Sequence, residues 1–239
     1  MVKVKLGVYD YAEMARFKGI VFDLDGTLID SEVDFVKMKQ NMIGVLEEHG
    51  VPKGKLTPQM TTVIIMENAE KYWSEQGKAE SEKVYLRDEM TRIMDQGELE
   101  AISTLTVIPG VQETVKKLKQ RGYKLAILTR SHHKYAEEAL KKIGLEKEFD
   151  VILGRGETPQ PKPYAEAMIY AAKALGLSLT EVVLVGDHHL DSTCAVNAKC
   201  NFIGVATGPR GDKSWEINRP NVILPSVYDI PEYLERNGL

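Results

Sequence analysis

The sequence lacks several features that define special classes of protein. It contains two cysteines, Cys194 and Cys200, too few for a disulfide framework or, by themselves, a zinc site. No apolar run approaches the roughly 18 residues that a membrane-spanning helix needs. The N-terminal stretch has no apolar core of the kind found in secretory signals. These absences lead us to expect a cytoplasmic protein with no membrane partner.

Charge of one sign is also not in excess. Lys and Arg number 31 against 35 Asp and Glu, which gives a net charge of −4. This balance disfavours a nucleic-acid partner, because nucleic-acid-binding surfaces need clustered positive charge. Apolar residues make up 43% and charged residues 28%, as in ordinary globular proteins. We therefore expect a globular chain of one domain, or one domain with a sizeable insertion.

Short apolar runs, stopped by glycine or by polar residues, recur along the chain. They are Gly19–Phe22, Tyr123–Leu128, Val151–Leu153, Val182–Val185, Phe202–Val205 and Val222–Leu224. Runs without alternation are typical of strands buried on both faces, as in a parallel sheet. Helical patterns lie between them, one of them opened by Pro163 and ended by Gly176. The alternation predicts an α/β fold with a doubly wound, Rossmann-like parallel sheet.

Two regions depart from this alternation. Near the N-terminus, Val2–Val8 has the period of a short strand, and a helix capped by Asp10 is predicted over Tyr11–Phe17. Between Ser31 and Val107 the patterns are helical, with no convincing strand. The predicted helices there are Phe35–Glu48, Pro58–Gln76 and Ser81–Asp95. We predict an α-helical cap domain over residues 31–108, inserted into a catalytic core formed by residues 1–30 and 109–239.

Polar and charged side chains follow four of the predicted strands or the loops after them. In chain order they are Asp23-Leu-Asp25-Gly-Thr, Thr129-Arg130-Ser131, Pro-Lys162-Pro and Gly-Asp187-x-x-x-Asp191. Each has a plainer interpretation: a turn for the first, a helix cap for the two hydroxyls, a solvated loop lysine, and a turn residue with a helix-start charge for the last. Their joint occurrence favours one cleft, because ligands of open α/β sheets bind beyond the carboxyl ends of the strands.

The charges of these residues indicate what such a cleft would bind. Asp23, Asp187 and Asp191 would repel one another unless a cation lay between them. Carboxylates together with water are typical ligands of Mg²⁺. Lys162 and Arg130 then suit an anion brought to the metal, and a phosphate monoester balances the site. Within the first motif, one carboxylate can attack phosphorus and the other can exchange a proton with the leaving group.

These residues resemble the four motifs of the haloacid dehalogenase superfamily. Asp23-Leu-Asp-Gly-Thr-Leu-Ile-Asp-Ser, Thr129, Lys162 and Gly186-Asp187-x-x-x-Asp191 occur in the order of that superfamily, and the match spans about Phe22 to Gly208. The helical block is similar to its C1-type cap, and the nearest subgroup looks phosphoglycolate phosphatase-like. The resemblance implies a Rossmann-like core with an inserted helical cap.

The resemblance also implies roles for individual residues. It implies a nucleophile at Asp23, a general acid and base at Asp25, and phosphate binding by Thr129 and Lys162. Magnesium would be held by Asp23, the backbone carbonyl of Asp25 and Asp187, with Asp191 supporting directly or through water. Relatives that release halide carry no acid at the position of Asp25, and P-type ATPases carry threonine there. Asp25 therefore favours a phosphatase or a phosphomutase.

The sequence departs from the superfamily pattern in two places. Arg130 stands where many relatives have asparagine, and it either adds an anion contact or points away. The loop after Lys162 reads Pro-Tyr-Ala, where Pro-x-Pro is usual. The histidine pairs His132-His133 and His188-His189 are interpreted as polar loop residues; the alternatives are contact with the substrate for the first pair and an influence on the metal ligands for the second. No role is assigned to residues 1–17.

The sequence therefore predicts a magnesium-dependent phosphatase. Its partner would be a small phosphorylated metabolite, phosphoglycolate-like or a sugar phosphate, hydrolysed through an aspartyl-phosphate intermediate. Two alternatives stay open. One is a phosphomutase of the same superfamily, and a remoter one is a non-catalytic regulator that binds a partner. The intact set of charged residues disfavours the regulator.

Overall fold

The structure is a computed structural model, and it describes residues 17–209, 211–215 and 217–239. The strand predicted over Val2–Val8 and all but the last residue of the helix predicted over Tyr11–Phe17 lie outside these ranges. Phe17 itself is described, and it is a buried residue in no regular element.

In the described part of the chain, six parallel strands form one sheet. In chain order they are β1 (Gly19–Phe22), β4 (Lys124–Leu128), β5 (Val151–Leu153), β6 (Val182–Gly186), β7 (Asn201–Val205) and β8 (Ile223–Leu224). Their order across the sheet is β5-β4-β1-β6-β7-β8. From β1 the chain adds strands first on one side of the sheet (β4, β5) and then on the other (β6, β7, β8), which is the topology of a doubly wound sheet. The predicted fold class and its strands are thus confirmed, with ends that differ by at most one residue.

Helices follow most of the strands along the chain, and each of them has a buried side. They are α4 (Val111–Gln120), α5 (His133–Lys142), α6 (Ala165–Ala174), α7 (His189–Ala198) and, at the C-terminus, α8 (Ile230–Arg236). In α4 the buried residues Val111, Val115 and Leu118 follow the helical spacing seen in the sequence. The helix α7 buries small residues, such as Cys194 and Ala195, so its sequence shows no clear helical period of large apolar residues.

The chain divides into two compact units. The first contains the described residues up to Ser31 together with Thr104–Leu239, and the second is Glu32–Ser103. Within the first unit, close in sequence to either end of the second, two short strands pair antiparallel: β2 (Ile29–Asp30) with β3 (Thr106–Val107). The second unit is shorter than the predicted segment 31–108, because Ser31 and residues 104–108 belong with the sheet-containing unit. The absence of any strand between Ser31 and Val107 was a wrong prediction, although β3 has only two residues.

The second unit consists of helices. They are α1 (Phe35–Glu48), α2 (Thr62–Glu75) and α3 (Glu80–Ala101). The bounds of α1 match the prediction, but α2 begins later than Pro58 because Thr61 caps it by accepting a hydrogen bond from the backbone N–H of Ile64. The helix α3 continues past Asp95, and its Gly97 lies against Met38. Trp73 is fully buried in the apolar cluster of this unit, among methionine, leucine and isoleucine side chains.

Among the residues that the structure describes, no helix combines the length and the apolar character needed to cross a membrane.

Candidate active site

The central strand β1 delivers Asp23 to the carboxyl edge of the sheet. The backbone N–H of Asp23 donates to the carbonyl of Val185 in β6 at 2.9 Å, so the residue is held at the strand end. Its side chain is partly exposed, at 14%. The chain then turns at Gly26, which has φ +79°, a conformation that glycine adopts at no steric cost.

Lys162 joins the carboxylate of Asp23, at the end of β1, to that of Asp191, in the first turn of α7. Its Nζ lies 2.7 Å from Oδ1 of Asp23 and 2.6 Å from Oδ1 of Asp191. The side chain is only 3% exposed, so a solvated loop lysine is the wrong interpretation. A buried ammonium between two carboxylates is fixed in position, because any movement would leave a charge unpaired away from water.

Asp187 follows β6 and completes a cluster of three carboxylates. Oxygen atoms of Asp23, Asp187 and Asp191 all lie within 4.8 Å of one another. Thr27 donates its hydroxyl to Oδ1 of Asp187 at 3.0 Å. The loop after β7 closes the other side of this carboxylate: a Cβ at Gly208 would stand 1.9 Å from Oδ2 of Asp187. Glycine is thus the residue that lets this loop come so close.

Burial and like charge act together on the carboxylates. Burial, with the charge of Asp191 adding to it, raises the pKa of Asp23 to about 6 even though Lys162 opposes the shift. Burial and the charges of Asp23 and Asp191 raise the pKa of Asp187 well above its ordinary value. Burial disfavours the charged form of Lys162, but Asp191 and Asp23 outweigh it and raise the pKa of this lysine. The three carboxylates therefore carry more negative charge than Lys162 alone can balance.

Asp25 is held by three hydroxyl groups. Its Oδ1 accepts from the hydroxyl of Ser31 at 2.5 Å and from that of Tyr135 at 2.7 Å. Its Oδ2 accepts from the hydroxyl of Ser131 at 3.2 Å. Burial raises the pKa of Asp25, while the donated hydrogen bonds oppose the shift. A carboxyl group in such surroundings is suited to carrying a proton.

Thr129 and Arg130 follow β4 and lie beside this network. Thr129 is buried, and its hydroxyl accepts a hydrogen bond from the backbone N–H of Ser131 at 3.1 Å. The N-cap of α5 is His132, so helix capping by Thr129 or Ser131 was the wrong interpretation. Burial lowers the pKa of Arg130, and the negative charges of Asp23 and Asp191 counteract the shift. Arg130 is therefore within electrostatic reach of the carboxylate cluster.

A family model for haloacid dehalogenase-like hydrolases matches residues 20–205. The chain belongs to the haloacid dehalogenase-like hydrolase family. A phosphoglycolate phosphatase of Neisseria meningitidis is 29% identical over 94% of this chain and 96% of its own. One of Pasteurella multocida is 29% identical over 93% of this chain and 100% of its own.

A solved structure shares the fold of this family member. The crystal structure of a β-phosphoglucomutase from Clostridium difficile aligns with a TM-score of 0.65 and 19% identity, covering 92% of this chain and 96% of that one. The similarity shows that the two chains have the same architecture.

In this haloacid dehalogenase-like hydrolase, the three-carboxylate cluster fits a divalent cation. Two of its members have raised pKa values that an added positive charge would lower again. The oxygen ligands are of the type that Mg²⁺ prefers. Gly208 and Gly26 both approach the Asp187 carboxylate so closely that a Cβ at either position would collide with it. The carboxylate of Asp187 is therefore tightly confined.

Some contacts of this family member were not predicted from its sequence. Ser31 and Ser131 belong to quoted motifs, but no contact with Asp25 was assigned to them. Tyr135 lies 110 residues from Asp25 along the chain, and its place on the buried face of α5 gave only a packing signal. The histidine pairs lie at helix starts. His132 and His188 are N-cap residues, so these two have a structural role at a helix terminus that the interpretation as loop residues did not include.

Proposed function

We propose that this protein is a phosphatase that hydrolyses a small phosphomonoester through an aspartyl-phosphate at Asp23. The observation that supports this most is the position of Lys162, buried between the carboxylates of Asp23 and Asp191 with Asp187 alongside. That arrangement offers a carboxylate nucleophile next to a fixed cation for the phosphoryl oxygens.

Each step assigns a task to a residue of the site. A carboxylate oxygen of Asp23 forms a bond to phosphorus while the bond to the leaving oxygen breaks, and Asp25 gives that oxygen a proton. Water then attacks phosphorus, Asp25 takes its proton, and the carboxylate of Asp23 leaves with its electron pair. Thr129, Arg130 and Lys162 hold the phosphoryl oxygens throughout, so catalysis is largely positioning and charge stabilisation.

The metal that suits this site is Mg²⁺. Asp23, the backbone carbonyl of Asp25 and Asp187 would hold it, with Asp191 supporting directly or through water. Bound there, the ion would neutralise the carboxylates and the charge of the phosphoryl group. The high pKa values of Asp23 and Asp187 support a cation at this place.

The substrate we propose is phosphoglycolate or a monoester of similar size. The named relatives that cover nearly the whole chain are phosphoglycolate phosphatases. Arg130 interacts electrostatically with Asp23 and Asp191 and would add a second cation to Lys162, which suits a substrate with more than one anionic group. We propose further that the helical unit, predicted as residues 31–108 and found as Glu32–Ser103, serves as a cap domain that selects among leaving groups, and that the core predicted as residues 1–30 and 109–239 carries the catalytic residues.

The test measures phosphate release from p-nitrophenyl phosphate and from phosphoglycolate, with added Mg²⁺ or with chelator. We expect release with Mg²⁺, none with chelator, and a loss of at least about 10³-fold in kcat for Asp23→Asn. Intact-protein mass spectrometry of the quenched reaction should show a phosphoryl adduct on the unaltered protein and none on the variant.

Three results would contradict the proposal in different ways. Turnover by Asp23→Asn at the normal rate would exclude Asp23 as the nucleophile. With a hexose phosphate as the substrate, an isomerised sugar phosphate in place of free phosphate would indicate a phosphomutase. Failure to hydrolyse any ester of a broad panel, with tight capture of a partner, would indicate a regulator.

A further inference from the structure

The acid and base residue Asp25 is held unevenly on its two oxygens. Oδ1 accepts two short hydrogen bonds, from Ser31 at 2.5 Å and from Tyr135 at 2.7 Å. Oδ2 accepts from Ser131 at 3.2 Å, which is long for a bond between two oxygens. The carboxyl group is therefore fixed through Oδ1, and Oδ2 keeps acceptor capacity for a further partner.

Of the two donors on Oδ1, Tyr135 is the more rigid. Its side chain is fully buried on the face of α5 that also buries Ala136, Ala139 and Leu140. A packed aromatic ring has little rotamer freedom, so its hydroxyl points in one direction. A serine hydroxyl such as that of Ser31 can turn about its Cα–Cβ bond. Rotation of the Asp25 carboxyl group would break the bond to Tyr135.

We propose that Tyr135 is a positioning residue that fixes Oδ1 of Asp25, so that Oδ2 exchanges the proton with the leaving group and with water. The inference rests on the proposed phosphatase function. When the bond between phosphorus and the leaving oxygen breaks, its electron pair stays on that oxygen, which takes the proton from Oδ2. In the second step Oδ2 takes a proton from the attacking water.

The alternative is that Tyr135 merely satisfies its own hydroxyl, as buried tyrosines usually do. The two cases differ in what the loss of that hydroxyl changes. A misplaced general acid harms substrates whose leaving oxygen needs a proton, such as alkyl phosphates. It harms p-nitrophenyl phosphate little, because nitrophenolate leaves without one. A purely structural defect would lower both rates together.

The experiment compares Tyr135→Phe with the unaltered full-length protein, in Mg²⁺, on p-nitrophenyl phosphate and on phosphoglycolate or another alkyl phosphate that the unaltered protein hydrolyses. The quantity measured is kcat/KM, which covers the steps up to departure of the leaving group. General acid catalysis contributes roughly 10²- to 10⁴-fold. We expect Tyr135→Phe to lower the alkyl-to-aryl ratio of kcat/KM by about tenfold, a part of that contribution.

A matched control is Tyr123→Phe. The Tyr123 hydroxyl is also buried, and it donates to the carbonyl of Leu239 at 3.0 Å, away from Asp25. This variant loses a comparable hydrogen bond, and its alkyl-to-aryl ratio should equal that of the unaltered protein. Ser31→Ala, which removes the other donor to Oδ1, should lower the ratio in the same direction, and it serves if Tyr135→Phe does not fold.

Several outcomes would overturn the inference. These are an unchanged ratio in an active Tyr135→Phe, an unchanged ratio in Ser31→Ala where the tyrosine variant does not fold, or an equal fall in Tyr123→Phe. No phosphate release by the unaltered protein would instead overturn the proposed function, and this inference with it.

Discussion

At the residue scale, a glycine decides how closely the loop after β7 approaches the carboxylate of Asp187. A Cβ at Gly208 would lie 1.9 Å from Oδ2 of that carboxylate. We predict that Gly208→Ala displaces the carboxylate and raises the Mg²⁺ concentration for half-maximal activity by about tenfold or more, since disturbed surroundings of a metal ligand cost roughly 10- to 100-fold in affinity or activity. The measurement is a Mg²⁺ titration of phosphate release.

The matched control for this variant is Gly44→Ala. Gly44 lies on the exposed side of α1, and a Cβ there would meet nothing within 4 Å. Its Mg²⁺ titration should coincide with that of the unaltered protein. A Gly208→Ala protein with the same half-saturating Mg²⁺ concentration would show that Asp187 does not hold the metal, or that the loop can move away freely.

The charged residues of the site could be predicted from the sequence for a physical reason. Asp23, Lys162 and Asp187 follow apolar strands or the loops after them, and parallel strands bring their carboxyl ends to one edge. Their roles in catalysis stay predictions. The contact of Tyr135 with Asp25 could not be predicted, because the direction of a buried side chain depends on the packing of α5 against the sheet.

At the scale of elements, strands were easier to predict than helix ends. A strand buried on both faces, such as β6, appears as an unbroken apolar run bounded by polar residues. The start of α2 depends on one hydrogen bond, from the N–H of Ile64 to Thr61, which no apolar period reveals. The end of α3 was misplaced because the helix continues through Gly97, a residue that usually interrupts helices and that here lies against Met38.

The helix α1 offers a prediction about stability. Gly44 lies inside this helix with its surface exposed and space for a methyl group. Alanine in place of an interior helical glycine is favourable by roughly 0.5–1 kcal/mol, because glycine loses more backbone freedom on folding. We predict that Gly44→Ala raises the midpoint of thermal unfolding while kcat stays the same. The measurement is the loss of the helical circular dichroism signal at about 220 nm on heating. A lower midpoint would indicate a contact at Gly44 that the structure does not describe.

At the scale of the whole molecule, a doubly wound sheet and an inserted helical unit could both be predicted, but the exact division could not. The strands β2 and β3 have two residues each, and their antiparallel pairing joins Ile29 to Val107 and Asp30 to Thr106. Two residues are too few to show a period of two in the sequence. The residues at this boundary therefore become assignable only when their hydrogen-bond partners are known.

The carboxylate cluster also couples stability to pH and to metal. The folded protein raises the pKa of Asp23 from 3.8 to about 6 and raises that of Asp187 in the same direction. Protonated carboxyl groups are thus favoured in the folded state. In the metal-free protein, the contribution of Asp23 to stability is fully present below about pH 4 and is lost as the pH rises through about 6, and that of Asp187 changes in the same direction.

Mg²⁺ should reverse this loss, because it binds the ionised carboxylates of the folded protein. We predict that saturating Mg²⁺ raises the unfolding midpoint more near pH 7.5 than near about pH 5, where protons compete for the cluster. At a concentration about 100 times its Kd, the ion would add about 2.7 kcal/mol to the free energy of unfolding. Differential scanning calorimetry with and without Mg²⁺ at both pH values gives the shift of the midpoint that Mg²⁺ causes, and this comparison cancels the titration of groups far from the cluster.

The variant Asp187→Asn should reduce the shift that Mg²⁺ causes. It should also weaken the loss of stability with rising pH in the metal-free protein, since it removes one of the repelling charges. Equal shifts of the midpoint at the two pH values would mean that the metal does not bind at these carboxylates.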